Sequence, residues 1–320
     1  MTGKKIIILF SGGLDSRLII KMMQEQNMEI LALFFQFPFG KSNKNKNASI
    51  EFAKKHEFKL RIIDCTKGKL LQEYLEVIKK AKHGRGKSIN PCIDCKIFML
   101  KKAKEIADTL KIKTIVTGEV LSQRPMSQMK SKMLIIEEEA KLKGNILRPL
   151  SAKILEETKI EKDKIIDREK LSDVHGRQRT KQIALAKKYK IDYPDPAGGC
   201  VLCEKMMKNR FELIFKRGIE DEELKLVTIG RQFKIKNAWV ITGRDKSEND
   251  LINSLENKTR EIITSDSLDL IGPDAIILNA EETEKIKITN ETREIIIKII
   301  NAYSKNSEEK DRKEFEKFKL

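Results

Sequence analysis

Ile6-Ile7-Ile8-Leu9-Phe10 runs directly into Ser11-Gly12-Gly13-Leu14-Asp15-Ser16, and the reading of this join decides the fold. The first five residues are apolar, mostly β-branched and too few for a helix, so they predict a parallel strand buried on both faces. Two glycines then mark an abrupt turn. Beyond it, Arg17-Leu18-Ile19-Ile20-Lys21-Met22-Met23 carries apolar residues at helical spacing, which puts Asp15 or Ser16 at the start of a helix. The unpaired amides of that first turn would point back at the glycines. A strand, a glycine turn and a helix N-terminus together make a phosphate cradle. The Lys-Ser/Thr ending of a Walker loop is missing, so the cradle is of another kind.

Working outward, Ile30 to Phe37 reads as a second buried strand ended by Pro38-Phe39-Gly40, with a polar loop from Lys41 to Asn47 and a helix from Ala48 to His56. Leu60 to Asp64 is a third strand, Thr114 to Gly118 a fourth after a long helical insertion, and Ile146 to Leu150 a fifth strand with its exit. Strands alternating with helices predict the α/β class, a doubly wound parallel five-stranded sheet. Ligands of such sheets bind beyond the carboxyl ends of the strands, where Ser11, Gly118 and the segment after Asp64 would converge. Charged, helical sequence follows from Lys153 to Lys190, then a breaker cluster of Tyr193-Pro194-Asp195-Pro196 and Gly198-Gly199. The expected units are a catalytic domain over 1–208, a small α+β domain over 209–303 and a charged tail over 304–320. Within the small domain the strand-like segments are Ala238 to Thr242, Leu268 to Ile271 and Ala275 to Leu278, before an amphipathic helix from Thr292 to Tyr303.

A chain of 320 residues buries a full core. Its 65 Lys and Arg against 48 Asp and Glu give a formal charge of +17, which favours a polyanionic partner unless it reflects a general lysine and isoleucine bias. No apolar run approaches the ~18 residues of a membrane span, and Ile6 to Phe10 is too short for a signal-peptide core, so a cytoplasmic protein is expected. The three histidines, His56, His83 and His175, have no ligand spacing. Apolar residues from Glu294 to Ile300 suit either a core or a homodimer contact.

Five cysteines are too few for a disulfide framework. Cys92-Ile93-Asp94-Cys95 and Cys200-Val201-Leu202-Cys203 form two CxxC pairs far apart in sequence, while Cys65 lies outside both and reads as a buried small residue. Three readings of the pairs stay open: four ligands of a structural Zn²⁺, three ligands of an iron–sulfur cluster with one open iron, or a redox pair that carries a persulfide. Arg85, Lys87 and Lys96 flank the first pair and could attract RNA or favour a thiolate.

Ser11 to Ser16 resembles the PP-loop of the ATP pyrophosphatase superfamily, with its HUP-type, Rossmann-like fold. That resemblance implies ATP held by Ser11, Gly12, Gly13, Asp15 and Ser16, with Asp15 helping to place Mg²⁺. Asn90-Pro91-Cys92-Ile93-Asp94-Cys95 is similar to the Asn-Pro-Asp-x-x-Cys segment of the tRNA 2-thiouridylases, with Cys92 in place of the aspartate. Thr117-Gly118-Glu119 with Gln123 and Ser127-Gln128 resembles the 4-thiouridine synthetases, which puts Gly118 at the nucleotide crevice, and Arg148-Pro149-Leu150 matches a segment common in both families. Arg148 would meet a phosphate there or serve as a salt-bridged structural residue. The resemblance implies ATP-dependent tRNA thiolation, with catalytic roles for Asp15, Cys92, Cys95 and Cys200 and a sulfur donor that is sulfide or a persulfide-carrying protein. It further implies a [4Fe-4S] cluster on Cys92, Cys95 and Cys200, or Zn²⁺ with Cys203 as fourth ligand.

Gly230 to Trp239 and Thr242 to Asp250 put cations beside an aromatic and a glycine turn. They resemble the small NFACT-R-type RNA-binding domain, which implies phosphate contacts from Arg231, Lys234, Lys236, Arg244 and Lys246. Two other functions fit the same residues. One is a PP-loop ligase or amidating enzyme for a small carboxylate, with structural zinc; the other is a non-catalytic, ATP-dependent RNA-binding factor.

Overall fold

The computed structural model describes residues 4–39, 42–194, 200–256, 259–305 and 307–320. Contacts divide the chain into two units, Met1–Gly86 with Asn90–Gly199 and Lys87–Ile89 with Cys200–Leu320.

The first unit is a parallel sheet of β1 (Lys5–Leu9), β2 (Glu29–Gln36), β3 (Lys59–Asp64), β4 (Thr114–Thr117) and β5 (Ile146–Leu147) in the order β3-β2-β1-β4-β5. Register is set by pairs such as Ile8 with Ala32 and Leu9 with Thr117. Helices α1 (Leu14–Gln24), α2 (Ser42–Lys55), α3 (Gly68–Lys80), α4 (Cys92–Thr109), α5 (Lys130–Glu139), α6 (Lys159–Lys162) and α7 (Thr180–Lys188) connect and flank it. Ile6, Ile7 and Ile8 are all fully buried. Ile6 and Ile8 share a core cluster with Leu18 and Met22 of α1, and strand alternation turns Ile7 to the other face. Each such burial contributes about 1.5–3 kcal/mol.

This α/β sheet is the one the strand pattern predicts. The chain winds outward in both directions from β1, so the switch point lies between the ends of β1 and β4, where Ser11 and Gly118 meet. The segment after Asp64 leaves from the edge strand, beyond β2, and is further from this point than the sequence suggested. The stretch from Lys153 to Lys190, read as helical, is helical in part: its α-helices are the short α6 and α7, with turns between them. Tertiary bonds win over charge patterning there: Ser172 N donates to Pro149 O, Val174 N to Leu150 O and Lys153 N to Ser172 O. Ile160, Ile166, Leu171 and Val174 are thereby drawn into the core. Of the breaker cluster, Asp195, Pro196, Gly198 and Gly199 lie outside the described residues.

The second unit is an antiparallel sheet of β6 (Arg231–Ile235), β7 (Ala238–Thr242), β8 (Glu261–Ile263) and β9 (Ala275–Asn279), ordered β6-β7-β9-β8, with α8 (Met206–Arg217), α9 (Lys246–Asn253), α10 (Asn290–Ala302) and α11 (Glu309–Lys313). It begins before the Lys208 boundary read from sequence, because Leu202 and Met207 are buried and Ile89 N bonds Leu202 O. Leu268 to Ile271 is a turn rather than a strand: Asp269 adopts φ 54° and Ile271 is 76% exposed. The apolar stripe of α10 is core, with Ile296, Ile299 and Ile300 fully buried against Phe233, Val240 and Ile277. The charged stretch from Ser304 onward is not a loose tail, since Phe315 is buried in the same cluster and Leu320 N bonds Gln232 O on the edge strand.

Candidate functional site

Gly12 takes φ 75°, which reverses the chain as it leaves β1. Ser16 Oγ donates to Gly13 O at 2.8 Å and Ser11 Oγ to Ser16 Oγ at 3.3 Å, so the two serines pin the loop. The first helical bond is Arg17 N to Gly13 O at 3.0 Å, leaving the amides of residues 14–16 free for an anion. Gly118 permits a close approach: a Cβ there would lie 3.0 Å from Asp15 C and 3.1 Å from Ser16 N, both main-chain atoms. Glycine at the end of β4 lets α1 start directly against the sheet.

The sequence reading missed Arg17 and Gln182, two of the side chains that lock this loop. Arg17 is buried, donates from Nε to Gly12 O at 2.7 Å and from Nη1 to Asp192 O, and stacks 4.4 Å from the Phe52 ring centroid. Asp15 Oδ2 accepts from Gln123 Nε2 at 2.9 Å, and Gln123 Oε1 accepts from Gln182 Nε2 at 2.9 Å. Asp15 Oδ1 is shut off from solvent and has no hydrogen-bond partner. Burial raises the Asp15 carboxyl above its ordinary value, and the Gln123 bond and the charges of Arg179 and Arg124 offset this only in part. A desolvated carboxylate oxygen beside an anion cradle suits a divalent cation.

Behind the loop, Glu119 is fully buried and accepts from Thr117 Oγ1 at 3.1 Å and Arg148 Nε at 3.2 Å, while Arg148 Nη1 also pairs with Glu137. Burial opposes the Glu119 charge, but Lys96 and Arg148 outweigh it and hold the carboxyl below its usual range. Arg148 is therefore a structural cation, not a phosphate ligand. Lys96 Nζ stands 3.6 Å from Glu119 Oε1 and ties the first turns of α4 to the loop after β4. Cys92 and Cys95 occupy the first turn of that helix. Cys92 Sγ accepts from Asn90 Nδ2 at 3.1 Å, and Asp94, between the two cysteines, pairs with His83 Nδ1 at 2.8 Å.

Cys200 and Cys203 belong to the second unit, at a turn before α8. Among the described residues no three His, Cys, Asp or Glu side chains gather as ligands of a metal. Cys65 is fully buried, as expected, and its thiol is pushed up to about 12 by desolvation.

In the second unit the five cations read from sequence part company. Arg231 donates to Gly243 O at 3.0 Å, Arg244 pairs with Glu248 and Lys236 pairs with Glu291, while Lys234 and Lys246 are exposed. Trp239 is fully buried and donates to Gln232 Oε1 at 3.1 Å, so it is no stacking platform. Among the described residues no helix is long and apolar enough to cross a membrane.

The order of the first sheet and the Ser11–Ser16 loop at its switch point define an α/β nucleotide-loop domain of the PP-loop type. Residues 1–182 match the family model described as thiamine biosynthesis protein (ThiI), and the chain belongs to that family. A probable tRNA sulfurtransferase of Thermococcus kodakarensis is 28% identical over 166 residues, 52% of this chain and 40% of that protein. A tRNA-specific 2-thiouridylase MnmA of Nitratiruptor is 27% identical over 118 residues, 36% and 34% of the two lengths. The chain thus spans less than half the length of these relatives. A solved 4-thiouridine synthetase–RNA complex with bound ATP aligns over 58% of this chain and 50% of that one, at 17% identity and a TM-score of 0.37.

Proposed function

We propose that this protein is an ATP-dependent tRNA sulfurtransferase. The single observation that carries the reading is the Lys96–Glu119 contact, which ties the helix headed by Cys92 and Cys95 to the loop beside the Ser11–Ser16 cradle. Thiols and a polyphosphate site on one support are what thiolation needs, and the sulfurtransferase and thiouridylase relatives agree with it. In this reading the amides at the head of α1, with Ser11, Gly12, Gly13 and Ser16, hold the pyrophosphate of ATP, and Asp15 would help to hold Mg²⁺, which would neutralise the departing pyrophosphate.

A uracil carbonyl oxygen attacks the α-phosphorus and pyrophosphate leaves. The oxygen, a poor leaving group on its own, now departs as AMP when sulfur adds to the ring carbon. The sulfur is sulfide, or the outer atom of a persulfide on Cys95 or Cys200; in the latter case a second thiolate breaks the S–S bond and a thiol reductant resets the resulting disulfide. RNA is held by the second unit, whose likeness to NFACT-R domains rests on the Gly230–Asp250 segment.

The test is incubation of the protein with tRNA, ATP, Mg²⁺ and either sulfide or a persulfide donor, with thiouridine read by mass spectrometry and AMP counted against it. One AMP per thiouridine, lost in Asp15→Asn, supports the reading; AMP formation without thiouridine refutes it. Anaerobic iron, sulfide and zinc analysis of the wild type beside Cys92→Ala/Cys95→Ala/Cys200→Ala decides the sulfur route. Iron and sulfide lost in the variant assign a cluster, and one zinc with no sulfur adduct moves the reading to a zinc-stapled ligase.

A further inference from the structure

The second unit holds a cavity of about 400 Å³ where the start of β6, the β7–α9 turn and the residues after α10 converge. Its walls include Arg231, Gly243, Arg244, Lys246, Tyr303 and Lys305, with Asp245 as the acidic member. Three of these cations, Arg231, Arg244 and Lys246, come from the five read in the sequence; Lys305 was not read, and Lys234 and Lys236 are absent from the walls. By strand alternation Lys234 follows Gln232 to the opposite face of β6.

Two glycines near the cavity have no room for a side chain as their neighbours stand. A Cβ on Gly243 would lie 2.0 Å from Asn249 Oδ1, and one on Gly230, at φ 65°, would lie 2.6 Å from Thr242 O. Asn249 in turn accepts from Asp274 N at 3.2 Å and donates to Gly272 O at 3.3 Å, which fastens the turn to the far wall.

Charge is left over. Arg231 lies 4.6 Å from the Tyr303 ring centroid, and Arg312 stands 5.3 Å from the same ring. Burial, with Arg312 and Arg244 nearby, lowers the Arg231 pKa despite the neighbouring Glu248. Glu248 is committed to Arg244, and Asp245 caps α9 by accepting from Glu248 N at 3.0 Å. Four cations against these two carboxylates leave a positive cavity whose size, within the roughly 300–1,000 Å³ of small-ligand sites, admits one nucleotide.

We propose that this cavity seats one nucleotide of an RNA strand, its phosphate between Lys246 and Lys305, with Arg231 and Arg244 as the fixed cations behind. The proposal rests on the tRNA reading of the preceding section and names where in the second unit the RNA is held. Lys246 and Lys305 are exposed, so removing their charge leaves the core intact.

The test uses the full chain and a fluorescent tRNA transcript, titrated at several salt concentrations. For Lys246→Met/Lys305→Met the slope of log K against log salt becomes shallower by about 0.7–0.9, and at 0.15 M salt binding weakens by roughly 5-fold. Melting temperature and its shift with Mg-ATP stay those of the wild type. Lys234→Met/Lys236→Met is the comparison, and a slope change confined to that pair overturns the proposal. So does wild-type RNA binding that survives Lys246→Met/Lys305→Met with its slope unchanged, although the tRNA reading then stands. Absence of RNA binding by the wild type removes both. Binding of free AMP in place of RNA, abolished by the same variant, would make the cavity a nucleotide pocket and refute the RNA seat.

Discussion

Replacing Gly118 by alanine tests the close approach on which the candidate nucleotide site depends. The new Cβ would meet Asp15 C at 3.0 Å, Asp15 O at 3.1 Å and Ser16 N at 3.1 Å. Carbon atoms sit comfortably at about 3.5–4.0 Å, so the head of α1 must retreat from β4 by about half an ångström. No side-chain rotation relieves the clash, because every atom met is main chain. Overpacking of this kind costs about 1–3 kcal/mol. In a unit of this size each kcal/mol lowers the melting temperature by about 2–4 °C, which gives a fall of roughly 2–12 °C. The displaced residues are those whose amides face the anion, so nucleotide affinity falls as well, tenfold for each ~1.4 kcal/mol lost. Thermal unfolding of wild type and Gly118→Ala, each with and without Mg-ATP, reads both effects, since a ligand stabilises only the state that binds it. A variant that melts with the wild type and keeps its full nucleotide-induced shift would refute the reasoning.

Two further outcomes follow from buried charges. Asp15 has a raised folded-state pKa from burial, so between its ordinary value of 3.8 and the raised one the folded chain holds more protons than the unfolded chain, and stability falls as pH rises through that window. Asp15→Asn should therefore make the ligand-free protein more stable than wild type at neutral pH, with the advantage shrinking as pH falls towards 3.8; urea unfolding across pH checks this, and an advantage growing towards acid would overturn it. Arg148→Met leaves Glu119 and Glu137 buried without their shared cation, and denaturant unfolding should show a loss of about 3–5 kcal/mol. A loss below about 1 kcal/mol would mean that the pair behaves as a surface ion pair.

Local signals carried much of this protein. The run Ile6 to Phe10, the two glycines and the apolar period from Leu18 to Met23 specified strand, turn and helix, because each rests on neighbours within a few residues. They also placed Ser11, Gly12, Gly13, Asp15, Ser16 and Gly118 at one crevice, since a doubly wound sheet has a switch point whatever its loops contain. Other features depended on partners far along the chain. Arg17 gave no signal beyond its place in a helical run, because its role is set by Asp192 O and Phe52, which enclose it. Gln182 gave no signal, because its meaning is the bond to Gln123 and, through it, to Asp15. Arg148 was balanced between phosphate ligand and structural cation, and only burial against Glu119 and Glu137 decided it. The same holds for the five basic residues of the second unit: sequence showed cations near glycines, and strand alternation with tertiary packing sorted them into cavity wall, ion pair and solvated surface. Sequence periodicity reports which way a side chain faces along its own element, whereas charge burial and cavity walls are made by elements that meet only after folding.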